Sequence, residues 1–162
     1  AFVFIHPVEG GGRAELREYY MWNVIGNPVE TSIAAGHLIL SGVMEAFPRL
    51  KILLAHGGGA LPSLRGRLDR GFKMRPEINK VIPQPPSEYL KHFYFDSITH
   101  DSALLKSLVE FVGADHVLLG SDYPFDMGNE RPPDLVRAAG LGAEAEEKIL
   151  GGNVSHFLSL GW

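Results

Sequence analysis

The chain has 162 residues, which suits one domain with a core of useful size. It is 45% hydrophobic and 21% charged, an ordinary globular composition, and a net charge of −4 gives no electrostatic footprint for nucleic acid. Cysteine is absent, which excludes disulfides and thiolate metal sites and fits a reducing compartment, so the expected location is cytoplasmic.

No apolar run approaches the roughly 20 residues that cross a bilayer, so no membrane partner is expected. The longest candidate, Ile33 to Val43, is broken by Gly36, His37, Ser41 and Gly42. Nothing basic precedes the apolar start, and no signal peptide is expected.

The chain opens on Phe2-Val3-Phe4-Ile5, a buried-strand pattern with no polar lead, closed by His6-Pro7. Asn27-Pro28-Val29-Glu30 reads as an N-cap, a first-turn proline and a capping-box acid, starting a helix that Pro48 halts near Phe47. The second apolar run is Lys51-Ile52-Leu53-Leu54-Ala55, closed by His56-Gly57-Gly58-Gly59, and an amphipathic helix is predicted over Leu61 to Phe72. A short helix follows over Ser87 to His92. The third run, Phe93-Tyr94-Phe95, ends in Asp96-Ser97, and Asp101 caps a helix over Ser102 to Val112 that Gly113 closes. The fourth, His116-Val117-Leu118-Leu119-Gly120, ends in Ser121-Asp122. After a proline-rich loop, Phe125 to Pro133, the end is helical over Ala143 to Leu150 and Asn153 to Leu158. All four runs have the continuous apolar character of strands buried on both faces.

Strand alternating with helix four times predicts an α/β fold with a parallel sheet, either an open doubly wound sheet or half of a (β/α)8 barrel. Both place their sites at the carboxyl ends of strands. Gly57-Gly58-Gly59 is followed by Ala60-Leu61-Pro62 rather than a dinucleotide fingerprint. His6, His56 and Asp122 each lie just beyond a different strand, and in a closed barrel they would converge on one mouth. Imidazole and carboxylate together suit a divalent ion, zinc first, and catalytic zinc commonly has three protein ligands and a water. His37, His92, His116 and His156 read as packing or surface residues. His100 follows its strand closely enough to approach the mouth, although Asp101's capping role accounts for the local sequence. Asp96 reads as a strand-end hydrogen-bond acceptor, with orientation of a histidine as the other use.

The segments His6-Pro7, Ala55-His56-Gly57-Gly58-Gly59 and Gly120-Ser121-Asp122-Tyr123-Pro124-Phe125 resemble the amidohydrolase superfamily. Within it they are most similar to the branch of the aminocarboxymuconate-semialdehyde decarboxylases. Pro28-Val29-Glu30-Thr31, Lys73-Met74-Arg75-Pro76, Asp96 to Asp101 and Gly151-Gly152-Asn153 extend the similarity to about Leu158. The resemblance implies a TIM-type (β/α)8 barrel of which these are strands five to eight, over a single domain, residues 1–162. It implies a divalent ion, usually zinc, held by a His-x-His pair on strand one together with the residues matched by His6 and Asp122. It further implies that His56 is the acid-base beside the ion's water and that Arg67 grips a substrate carboxylate in a neighbouring subunit. Phe125 would line the substrate pocket. Read without the resemblance, Arg67 is as well explained as a surface charge paired with Asp69 or Asp101.

This chain holds no His-x-His, and Asn23 stands where the branch has a tryptophan, with Trp22 beside it. The first four strands are therefore expected to be missing, and the chain to pair with its other half or with a second copy of itself. The expected activity is that of a metal-dependent carbon–carbon lyase, a decarboxylase of a small carboxylated substrate, with the chain alone a poor catalyst. A metal-dependent hydrolase of an ester, lactone or amide would use the same site, and a non-catalytic barrel remnant serving as an interaction domain is the reading from a different class.

Overall fold

The computed structural model describes residues 2–158. Four strands, β1 (Phe2–Ile5), β2 (Lys51–Leu54), β3 (Tyr94–Asp96) and β4 (Val117–Leu118), form one parallel sheet in the order β1-β2-β3-β4. That order decides between the two architectures. A doubly wound sheet reverses its winding at a switch point, whereas strands that add one after another in chain order are the winding of a barrel. The registers bring Ile5 beside Leu54, Leu54 beside Phe95 and Asp96 beside Leu118, so all four strands end on one side of the sheet.

Between the strands run α1 (Asn27–Leu40), α2 (Val43–Ala46), α3 (Leu61–Met74), α4 (Pro76–Asn79), α5 (Pro86–Leu90) and α6 (Ser102–Val112). After β4 come α7 (Pro132–Ala138), α8 (Ala143–Glu147) and α9 (Asn153–Leu158). Ile52, Leu54 and Phe95 of the sheet pack with Ile39, Leu61, Tyr89 and Leu105 of the helices into one continuous core. None of these helices is long and apolar enough to cross a membrane.

Several boundaries match the sequence reading because the chemistry there is local. The Asp101 carboxylate accepts from the Ala103 and Leu104 N–H groups, and Gly113 ends α6 with φ 91°. Others differ. Asn27 is not an N-cap: a wide turn over Trp22–Gly26 already winds into α1, and the Asn27 side chain accepts from Gly10 N–H at 2.9 Å instead. The expected helix to Phe47 is two, because Gly42 takes φ 81° and breaks it. A helix, α7, begins inside the expected loop, at Pro132, where adjacent prolines occupy a first turn that needs no N–H donors.

The largest correction concerns β1. It was expected to be buried on both faces, yet Phe2, Val3 and Phe4 are 47%, 45% and 49% exposed. β1 is an edge strand, paired with β2 alone among the described residues, so its second edge and much of its side-chain surface meet solvent.

Candidate active site

At the carboxyl ends of the strands the fold brings His6, His56 and Asp122 together, as their sequence positions predict. One ligating atom from each lies within 4.8 Å of the others. Asp122 stands between the two imidazoles. Its Oδ1 is 3.0 Å from His6 Nε2 and its Oδ2 is 3.4 Å from His56 Nε2. The imidazoles meet edge to face, with centroids 5.0 Å apart.

The hydrogen bonding of His6 tests whether this cluster suits a cation. His6 Nδ1 lies 3.0 Å from the Pro7 carbonyl oxygen, an atom that only accepts, so Nδ1 carries hydrogen. In a neutral ring Nε2 is then itself an acceptor, and it faces a carboxylate oxygen at 3.0 Å. Two acceptors at that distance call for a proton or a metal ion between them. Ligand atoms about 2.0–2.1 Å from a tetrahedral ion stand about 3.3 Å from one another. The two separations to Asp122 fall around that figure, so the donor set fits a small divalent ion.

Backbone conformation sets these side chains apart from their neighbours. His56, His100 and Asp122 adopt φ of 56°, 55° and 57°, and all three border one cavity. The left-handed region is costly for side chains other than glycine, asparagine and aspartate, and such strain gathers where function fixes the geometry. The turn His56–Gly58 is tight as well: a Cβ on Gly59 would come 2.1 Å from the Pro28 carbonyl oxygen, so the chain passes against the start of α1 with no room to spare.

Asp96 holds that turn. Its buried carboxylate accepts three backbone N–H groups, His56 at 2.9 Å, Gly57 at 2.8 Å and Ile98 at 3.0 Å. Burial pushes the carboxyl pKa up, against the downward pull of the three N–H groups and the His56 ring. The residue therefore places the backbone that carries His56, not its imidazole. An Asp96→Asn substitution keeps an oxygen for Gly57 and Ile98 but turns an NH2 toward the His56 N–H. Stability should fall by about 2 kcal/mol, the cost of an unpaired buried donor. For a chain of this size that is about 4–8 °C in Tm. Thermal unfolding checks it, and an unchanged Tm would mean the turn holds without the carboxylate.

The cavity beside the cluster measures about 300 Å³ and is walled by residues from several elements, among them Asn23, Arg65, His100 and Phe111. The Tyr20 hydroxyl donates to Asp126 at 2.7 Å, tying the segment before Asn23 to the Asp122 loop. That bond to the Asp126 carboxylate also raises the Tyr20 pKa. Two residues singled out from the sequence lie outside the cavity wall. Phe125 is 58% exposed and stacks on the His6 ring at 5.7 Å. Arg67 is exposed on α3, and the surface pairings weighed for it are not formed: Asp69 accepts from Ser87 N–H and Asp101 caps α6. His100, set aside in the sequence, borders the cavity. Its spacing from the strand had allowed that approach, whereas its left-handed φ has no signature in composition or spacing.

Sequentially wound βα units with a polar cluster at the strand ends define a barrel-type fold that gathers its chemistry at one face. The amidohydrolase family model matches residues 1–158, and the chain belongs to that family. The 2-amino-3-carboxymuconate-6-semialdehyde decarboxylase of Dictyostelium discoideum is 41% identical over 99% of this chain and 45% of its own length. The crystal structure of 5-carboxyvanillate decarboxylase from Sphingomonas paucimobilis is 30% identical with a TM-score of 0.85, over 98% of this chain and 49% of that one. A dihydroxybenzoic acid decarboxylase from Polaromonas, solved with bound manganese, has the same fold at 24% identity and a TM-score of 0.84, over 100% of this chain and 51% of that one. The chain thus spans about half the length of the relatives it matches, and its fold is the second half of a (β/α)8 barrel.

Proposed function

We propose that this chain supplies half of the active site of a metal-dependent decarboxylase acting on a small aromatic or unsaturated carboxylic acid. The observation that carries the reading is the acceptor-to-acceptor approach of His6 Nε2 and Asp122 Oδ1 at 3.0 Å, a gap that suits a cation. His6 and Asp122 would hold the ion, and the first half of the barrel would complete its ligands. A bound divalent ion supplies Lewis acidity and a water whose pKa is brought to about 7. Zinc is the first expectation, and manganese, present in the Polaromonas enzyme, is the other.

His56 suits the acid-base role because its Nδ1 is buried with no hydrogen-bond partner among the described residues, while its Nε2 faces Asp122. In decarboxylation the bond from carbon to the carboxylate breaks and carbon dioxide leaves. The electron pair stays on the carbon, and that carbon takes the proton His56 delivers. Arg67, exposed and unpaired among the described residues, would serve a second subunit, and Phe125 would close the site over His6. These assignments follow the resemblance and the chemistry of the side chains. The outer edges of β1 and β4, each paired on one side only among the described residues, are where the strands of the other half would pair.

Carbon dioxide release from carboxylated aromatic acids, measured with the complete barrel and after metal removal, tests the reading. Release that depends on the ion is the expected result. Hydrolysis of esters or lactones without carbon dioxide release would move the site to the hydrolase class, and the absence of any bound ion would favour a non-catalytic remnant.

A further inference from the structure

We propose that Arg65 forms a second anion subsite inside the cavity, which selects substrates carrying a second anionic group away from the carboxylate that is lost. Arg65 sits one turn into α3, and of the arginines and lysines among the described residues it is the one on the cavity wall. It is half-buried and has no carboxylate within ion-pair distance among those residues. One guanidinium nitrogen, Nη1, donates to the Pro62 carbonyl oxygen at 2.7 Å. A guanidinium carries five N–H donors, so most of them are free to meet a ligand. The group is also held by a ring, because the Arg65 Cζ lies 4.8 Å from the centroid of Phe111.

The wall beside it is largely apolar. Leu104, Ser107, Leu108 and Phe111 of α6 recur at helical spacing and all border the cavity, giving one apolar stripe with a single hydroxyl. His56 and Asp122 border the same cavity. Asp122 repels an anion unless a cation covers it, whereas Arg65 attracts one in either case. A ligand with two anionic groups is therefore oriented, one group toward the cluster and one toward the fork of Arg65. Guanidinium matches carboxylate in a bidentate fashion that an ammonium does not reproduce. Arg67, two residues on, lies outside the cavity and has no part in this subsite. The proposal rests on the decarboxylase reading for which group reacts, and on this chain's own residues for where the other group binds.

Titration calorimetry on the complete barrel loaded with zinc or manganese tests it, with benzoate, isophthalate and terephthalate as probes. One of the two dicarboxylates should bind at least about tenfold more tightly than benzoate, a difference of about 1.4 kcal/mol. Arg65→Gln, which keeps a polar side chain and removes the charge, should erase that preference and leave benzoate unchanged in the metal-loaded protein. Arg65→Lys should keep only part of it, and Arg67→Gln should keep all of it. Equal binding of all three probes by the unaltered chain overturns the subsite, as does an Arg65→Gln chain that keeps the preference. A fall in Tm with the preference intact makes Arg65 a clamp between α3 and α6, which also overturns it. Repeating the titration without metal separates this proposal from the reaction. Without the ion Asp122 repels the second carboxylate, so the preference should vanish while Arg65→Gln weakens all three probes; metal-free binding that Arg65→Gln leaves unchanged overturns the subsite whether or not carbon dioxide is released.

Discussion

Replacing His56 with asparagine should lower kcat/KM of the complete barrel by about 10²–10⁴, the span that a positioned acid-base contributes, while the bound ion stays. Asparagine is the informative replacement. His56 holds φ of 56°, a conformation asparagine tolerates well and alanine does not, so the backbone turn held by Asp96 survives. What is lost is the ionisable ring. Among the described residues no hydrogen-bond partner meets Nδ1, and Asp122 lies 3.4 Å from Nε2, so removing the ring breaks no short hydrogen bond that the fold relies on. Steady-state rates, with metal content measured on the same sample, check the result. Turnover within tenfold of the unaltered enzyme would remove His56 from proton transfer. Loss of the ion together with turnover would make it a ligand rather than an acid-base.

The parts of this molecule that could be read in advance are those set by short-range chemistry. The four apolar runs marked the strands to within about two residues of where they lie, since strands in such a sheet are continuous hydrophobic segments bounded by turn residues. Asp101 and Gly113 marked α6 because a cap and a left-handed stop are written in single residues. The convergence of His6, His56 and Asp122 was legible too, because strand ends of a barrel share one face. Long-range effects were not. Asn27 has the look of a cap and is instead claimed by Gly10, seventeen residues back. β1 has the composition of a central strand and lies at an edge, since burial belongs to the neighbours and not to the strand. The difference between Arg65 and Arg67 is the sharpest case. Two residues apart on one helix, they turn by about 200° relative to each other, and only the packing of α3 against α6 decides which one meets the cavity.

Asp122→Asn should weaken divalent-ion binding by more than about a hundredfold, beyond the 10–100-fold typical of losing an outer partner of a ligand. The substitution keeps volume and suits the left-handed backbone, φ 57°, so the change is confined to charge and to one donor in place of an acceptor. In the native cluster the two carboxylate oxygens face two imidazoles at 3.0 and 3.4 Å. An amide offers one oxygen to one of them and an NH2 to the other, and it carries no charge to hold a cation. The effect is readable without activity. An ion at 1,000 times its Kd stabilises the folded state by about 4.1 kcal/mol, and a hundredfold loss of affinity leaves about 1.4 kcal/mol at the same concentration. The rise in Tm on adding zinc or manganese should therefore shrink by about 5–11 °C. An undiminished rise would mean that the ion, if held at all, is held elsewhere. The short approach of His6 to Asp122 would then be an imidazolium–carboxylate pair, with a proton in the place assigned to the metal.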